Sequence, residues 1–275
     1  MSFSVNTNSG AQVALQYLNA TQGQLDKTQG AINSGLKVAS AKDDGAIYAI
    51  AQNQRATVAG YSSVINSINN GSSAIDVALS AGQSISDLLI QMKQKALAAA
   101  DSSLDTASRQ ALNANFTALR DQIATIVKNA VFNGFNLVDG STNQVTALAS
   151  ADGARRITTA AQNLKLSGTI VTIKNTSTIS TQAKASTLIA TIQTSLTNVN
   201  SALAKLSSGA AKFSIQANFT QKLSDTLTAG IGNLVDANMA QESAKLQALQ
   251  VKQQLGVQAL SIANQAPQTI LSLFR

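Results

Sequence analysis

The chain has 275 residues, 44% of them apolar, with no cysteine, histidine or tryptophan, a single proline and a formal net charge of +7. These absences exclude disulfides, thiol and imidazole catalysis and the commonest zinc ligand sets, while the apolar content excludes a chain disordered over most of its length. Large core formers are scarce, with three Tyr and seven Phe, so the abundant Ala, Ser, Thr, Asn and Gln suit closely approaching helices better than a wide globular core.

From about Ser9 to Asn33 the pattern predicts a first helix, in which Ala11, Leu15, Leu18, Gln22, Leu25, Gln29, Ile32, Leu36 and Ala39 follow a 4-3-4-3 spacing. A repeat of about 3.5 residues keeps an apolar seam toward a partner helix. Asn33-Ser34-Gly35 reads as a break and is followed by a short connector. Asp43 and Asp44 then suit an N-terminal cap and the positive end of a helix dipole, with Lys42 beside them as an ion-pair partner. Two adjacent carboxylates could also serve general acid-base chemistry. With no histidine, no glycine-rich phosphate loop and one glutamate in the chain, the capping role is preferred, and no catalytic, cofactor-binding or metal-ligating residue is assigned.

A second helical stretch is expected from residue 44 to 100, where Ile47, Ile50, Val58, Tyr61, Ile65, Ile68, Ile75, Leu79 and Leu89 lie near one stripe. Asp101-Ser102-Ser103 interrupts it. Leu112, Phe116, Leu119, Ile123, Ile126 and Val127 then continue a third helix of about 25 residues. Asn133-Gly134 and Asp139-Gly140 are turn dipeptides. Beyond them Val145–Ala149 and Arg156–Thr159 flank Asp152-Gly153 as a hairpin, and Thr169–Ile173 reads as a further strand. The helical grid returns from about Ala185 as Leu188, Ile192, Leu196, Val199, Leu203, Leu206, Ala210, Phe213 and Ala217. Gly230 and Gly232 suggest a loosening, after which Val235, Met239, Leu246, Leu249, Leu260, Ala263, Ile270 and Phe274 share one heptad grid.

Charge is unevenly spread. Between Gly153 and Ser224 stand eight cations and no acid. Such a segment could attract nucleic acid, but the cations are dispersed without aromatic interleaving or a nucleic-acid motif, so a solvated face is the preferred reading. The first ten residues lack the basic and apolar regions of a secretory signal, and no stretch approaches the roughly 20 apolar residues of a membrane span. The expectation is no membrane insertion and no export by the general secretory route.

Ser40-Ala41-Lys42-Asp43-Asp44 followed by Ala49-Ile50-Ala51, with Leu25-Asp26-Lys27 and Asn33-Ser34-Gly35-Leu36 before it, resembles the N-terminal signature of bacterial flagellins. Phe132-Asn133-Gly134 with Leu137 and Gly140 looks like the turn after the family's third helix. Ala263-Asn264-Gln265-Ala266-Pro267-Gln268 and Leu271-Ser272-Leu273-Phe274-Arg275 are similar to the way flagellins end. The three blocks occur in order across both ends of the chain. The family's large outer domains are missing, so the resemblance is to a short form.

That resemblance implies a secreted, non-enzymatic structural subunit that polymerises into the helical filament of the bacterial flagellum for motility. It further implies export of the unfolded chain by the flagellar type III apparatus, an export chaperone on the C-terminal segment, and filament cap and hook-junction proteins as neighbours. The alternative is a hook-filament junction protein or another axial export substrate. The expected fold is mainly α, an elongated antiparallel bundle and terminal coiled coil with a small β-hairpin region. The expected domains are 1–40 with 235–275 as the inner coiled coil, 41–140 with 185–234 as the bundle, and 141–184 as its turn-rich surface. Leu15, Leu18, Leu25, Ile32, Leu36, Leu246, Leu249, Leu260, Ile270 and Phe274 are the expected polymerisation contacts, and both terminal segments are expected to order on assembly. No cofactor is expected.

Overall fold

The computed structural model of the chain describes residues 7–272, and side chains as far as Gln265. It is mainly α. Its elements are α1 (Ser9–Ser34), α2 (Gly45–Ala99), α3 (Thr106–Asn129), the short strands β1 (Val131–Phe132) and β2 (Phe135–Asn136), the hairpin β3 (Gln144–Leu148) and β4 (Arg156–Ala160), α4 (Gln182–Val235), and α5 (Met239–Ser272). The chain divides into two compact units, one of Met1–Ala56 with Thr226–Arg275 and one of Thr57–Asp225; α2 and α4 run through both.

Side chains next to the helix starts satisfy the N–H groups that the first turn leaves without partners. The Asn8 side chain accepts from Ala11 N at 3.1 Å to cap α1, and Asp105 accepts from Ser108 N at 2.9 Å to cap α3. Arg109 closes the turn between α2 and α3: its Nε donates to Ala99 O at 2.9 Å and its Nη2 to Asp101 O at 2.8 Å. Two carbonyls that could not continue the α2 ladder thereby find a charged donor.

The unit from 57 to 225 has a closed core. Ile68, Ile75, Ile85, Leu89 and Met92 of α2, Phe116, Ile123 and Val127 of α3, and Ile192, Val199, Leu206 and Phe213 of α4 are all but inaccessible to solvent. Their recurrence at three- and four-residue intervals is what brings three helices to one seam. α2 and α4 run antiparallel and close together: a Cβ on Gly71 would stand 2.5 Å from Cε1 of Phe213, and one on Gly82 would stand 2.6 Å from Cδ2 of Leu203. Absent side chains on α2 thus form the seats for two large ones on α4.

The β region covers the same core with Leu137, Val138, Val145 and Ala147. β1 and β2 pair through the turn Asn133-Gly134, whose φ values of 47° and 83° are the left-handed conformations a two-residue hairpin requires. Buried Asn136 anchors that turn, donating from Nδ2 to Val127 O at 2.7 Å and accepting at Oδ1 from the N–H groups of Val138 and Asp139. β3 and β4 pair antiparallel from Gln144↔Ala160 to Leu148↔Arg156.

Two sequence expectations are corrected. Thr169–Ile173 is not a strand. Val171 and Ile173 are buried, which explains the alternation, but the backbone between them bonds elsewhere. Thr172 N donates to Ser195 Oγ at 3.0 Å, Asn198 Nδ2 reaches the carbonyls of Thr169 and Ile170, and Ser167 N donates to Ile173 O at 2.8 Å. The segment is a loop folded on itself and docked on α4. Likewise α4 continues through Gly230 and Gly232 to Val235, so Val235 ends that helix instead of opening the last one.

Candidate assembly surface

In the terminal unit α1 and α5 lie antiparallel. Asn8 Nδ2 donates to Ala263 O at 2.7 Å, a Cβ on Gly256 would stand 3.3 Å from Leu18 Cδ1, and Gln253 Nε2 donates to Gln22 Oε1 at 2.7 Å. Continued along the pair, this register sets Leu25 opposite Leu249, Thr28 opposite Leu246 and Ile32 opposite Glu242. The less accessible positions of α5 are Glu242, Leu246, Leu249, Gln253, Gly256, Leu260 and Ala263, a 4-3 heptad repeat.

On α1 the corresponding positions are Ala11, Ala14, Leu18, Thr21, Leu25, Thr28 and Ile32. The expected grid placed Leu15, Gln22 and Gln29 in the seam, one residue beyond Ala14, Thr21 and Thr28. The displacement has a physical reason. Every second α1 position of the seam is small, with Ala14, Thr21 and Thr28 alternating with Leu18, Leu25 and Ile32, and at those steps the larger neighbours Leu15, Gln22 and Gln29 are exposed.

Buried polar atoms oppose this pairing. Thr21 Oγ1 donates back to Tyr17 O at 2.8 Å, but Thr28 Oγ1 is buried without a hydrogen-bond partner. Glu242 Oε2 is also buried without one, with Lys245 Nζ 3.6 Å away. An unsatisfied buried hydroxyl or carboxylate oxygen opposes the burial of the few leucines beside it.

Outside the seam the two helices remain apolar. Val13, Leu15 and Tyr17 on α1, with Met239, Val251, Leu255, Val257 and Ile262 on α5, are between 44% and 68% exposed. A helix that carries large apolar residues both in its seam and away from it calls for covering on more than one side.

The expected contact residues fall into distinct environments. Leu25 and Leu249 are buried in the pair; Leu18, Ile32, Leu246 and Leu260 are half-buried along it; Leu15 is exposed. Leu36, half-buried, forms an isolated bridge with Asp236, where Lys37 N donates to Val235 O and Ala237 N to Gly35 O, each at 2.8 Å. Ile270 lies in α5 with its side chain outside the described residues, and Phe274 lies outside them altogether. The exposed Val13, Tyr17, Val251, Leu255, Val257 and Ile262 escaped sequence reasoning. Their signal was apolar residues off the heptad grid.

Asp43 and Asp44 organise the connector. Asp43 Oδ2 accepts from Ala39 N, Ser40 N and Ser40 Oγ, and Asp44 Oδ1 accepts from Ala46 N and Ile47 N, both at 3.0 Å, capping α2. The Ser40 N–H and hydroxyl hold the Asp43 carboxyl below the usual aspartate range. Lys42 enters through its backbone, donating N–H to Ser40 Oγ at 3.3 Å. Among the described residues no three Asp, Glu, His or Cys side chains converge as metal ligands, and no helix is long and apolar enough to cross a membrane.

A closed helical body whose chain ends pair through a seam and leave large apolar side chains uncovered is the build of a self-assembling structural subunit. Comparison with known proteins makes this specific. Residues 5–143 match the bacterial flagellin N-terminal helical region, and residues 189–274 match the bacterial flagellin C-terminal helical region. The chain is 53% identical over 272 residues to flagellin FljK of Caulobacter vibrioides, covering 99% of this chain and 98% of the relative, and 52% identical to flagellin FljM of the same species with the same coverage. It is 33% identical over 281 residues to a flagellin of Brucella melitensis, covering 99% of each. The chain belongs to the bacterial flagellins and is a structural subunit of the flagellar filament.

Proposed function

We propose that the α1–α5 pair is the inner, filament-forming part of this subunit, and that neighbouring subunits cover its exposed apolar residues. The observation that carries this reading is the band of Val13, Leu15, Tyr17, Val251, Leu255 and Ile262 left in solvent by a pair that buries Thr21, Leu25, Thr28 and Leu249 among the described residues. Leu15, Leu18, Leu25, Ile32, Leu36, Leu246, Leu249, Leu260, Ile270 and Phe274 form the polymerisation interface, some by making the pair and others by meeting a neighbour. In domain terms 1–40 with 235–275 make the inner coiled coil, 41–140 with 185–234 the helical bundle, and 141–184 the turn-rich surface region of that bundle. The role is structural and not catalytic.

Asp44 caps α2 and Asp43 closes the preceding connector beside Lys42, so this trio serves folding of the subunit. The chain leaves the cell unfolded through the flagellar type III apparatus, without cleavage of a signal peptide. A chaperone covers its C-terminal segment until then, and the subunit adds beneath a cap protein on a filament joined to the hook by junction proteins. A weak seam fits this route, because segments that order only on assembly are easier to keep extended for export.

Electron microscopy of purified monomer added to filament seeds tests the reading. Elongation that rises with monomer concentration is expected; monomer that leaves the seeds unchanged at high concentration would overturn it. Hydrogen exchange on free monomer tests the weak seam, where fast exchange across α1 and α5 is expected beside slow exchange in the core of 57–225.

A further inference from the structure

A groove of about 690 Å³ opens on the unit from 57 to 225, between α2, the turn joining β1 to β2, and the outer edge of β3. Four stretches of chain line it with planar polar groups: Asn66 and Asn70 from α2, Asn133 from the turn, Gln144 from β3 and Arg156 from β4. All five are exposed, and none of their side chains hydrogen-bonds to another described residue. Each free amide offers an acceptor and two donors in one plane. Asn66 and Asn70 stand one helical turn apart and so share a face of α2. No acid lines the groove, and Arg156 is the one charged residue among those that do.

The opposite wall is aromatic. Phe132 and Phe135 pair directly across β1 and β2, which puts both side chains on one face of that hairpin, and Phe135 is 49% exposed. Fixed backbone groups complete the lining. Ala149 N donates to Arg155 O and Ala161 N to Asn143 O, each at 2.9 Å, which sets the register. In that register Val145 and Ala147 bond β4, while Gln144, Thr146 and Leu148 turn their N–H and C=O groups outward. Ser67 Oγ takes the Leu148 N–H at 3.0 Å. The open edge is therefore confined to Gln144 and Thr146, a short ladder for an added peptide strand. A saccharide needs only isolated donors and acceptors beside an aromatic face that covers its C–H side, and this groove supplies both.

We infer that the groove binds a short saccharide bearing a carboxylate, a uronic acid unit, with Arg156 on the carboxylate, the four amides on the hydroxyls and Phe135 against a sugar ring. A guanidinium meets a carboxylate through two parallel N–H bonds, so the acid gains more from Arg156 than a neutral sugar does. The site lies wholly within one unit and does not depend on how the chain ends assemble.

Isothermal titration of the full-length monomer with trigalacturonate, and with its trimethyl ester as the uncharged match, tests this. Trigalacturonate should bind with a Kd of about 1 mM or below, and the ester about tenfold more weakly. Arg156→Gln should weaken the acid about tenfold and leave the ester within about twofold, whereas Phe135→Ala should weaken both about fivefold. Circular dichroism and urea unfolding establish that each variant is folded. Amide NMR shifts on adding the acid should centre on Gln144 and Thr146. Trigalacturonate that fails to bind at about 10 mM, acid and ester that bind alike, or a folded Arg156→Gln chain that binds the acid unchanged would each overturn the inference. A pentapeptide of alternating valine and glutamate that shifts the same two amides and binds more tightly than the saccharide would overturn it in favour of strand addition.

Discussion

The unit from 57 to 225 and the terminal unit are built from similar helices but end in opposite conditions. In the first, α2, α3 and α4 meet around Phe116 and Phe213, and the β region covers that core from within the same chain. In the second, two helices meet along alanine, threonine and glycine, bury Leu25 and Leu249, and leave a band of larger residues in water. One unit encloses its large apolar side chains within the chain; the other leaves many of them in water. The difference lies less in total hydrophobicity than in which partners can reach the apolar side chains.

The sharpest way to break this comparison is to damage the closed unit. Phe213→Ala empties a fully buried site between α4 and Gly71 and should cost about 3–5 kcal/mol in urea unfolding of the monomer. A monomer transition unmoved by that change would mean that the core does not carry the stability. The complementary case is Leu255→Ala, on the uncovered side of α5. It should leave monomer unfolding in place while weakening assembly by about 1.5–3 kcal/mol, seen as a critical concentration raised tenfold or more. An equal loss in the free monomer would show that Leu255 is already covered within the subunit.

A smaller change acts on the seam. Thr28→Val keeps the shape and removes the buried hydroxyl that has no partner, and should stabilise the α1–α5 pair by about 1 kcal/mol. Slower hydrogen exchange confined to these two helices would be the readout, and unchanged or faster exchange there would count against a weak seam. The smallest effect concerns acid. Hydrogen bonds from Ser40 depress the Asp43 carboxyl and those from Ser108 depress Asp105. Groups with lowered folded values stabilise above the unfolded aspartate range and lose that contribution as pH falls through the folded value. Monomer stability should therefore hold from neutral pH to about pH 5 and decline below about pH 4. A decline beginning near neutrality would point to other groups.

Much of this was legible beforehand where large residues mark buried positions. The stripes of Ile68, Ile75 and Leu89 on α2 and of Ile192, Val199, Leu206 and Phe213 on α4 face the core, and Leu246, Leu249, Leu260 and Ala263 face the seam on α5. α1 was harder because size and burial part company there. Leu15 is large and exposed, while Ala14 and Thr28 are small and turned inward, so a search for apolar periodicity selects the wrong neighbour at every second step. Thr169–Ile173 misled for a related reason. Alternation records which side chains are buried and is silent on where the backbone N–H groups go, and in this loop they go to Ser195 and back to the segment itself. The exposed Val251, Leu255, Val257 and Ile262 of α5 were the least legible, since apolar residues off the seam's heptad grid look like errors in a single helix.

The bond from Asn8 to the carbonyl of Ala263 joins residues separated by 255 positions. During synthesis α1 emerges long before α5 exists, so the first helix must wait for nearly the whole chain before it meets its intramolecular partner. Closing so long a loop costs only slightly more than closing one half its length, about 0.6 kcal/mol, but it makes late contact unavoidable. A polypeptide interrupted before Leu246 would retain most of the closed bundle's sequence and yet give α1 nothing to pair with. The residues that face α1 from Leu246 to Ala263 are thus the last of the pair to be made, and a fragment that lacks them leaves the α1 side of the seam uncovered.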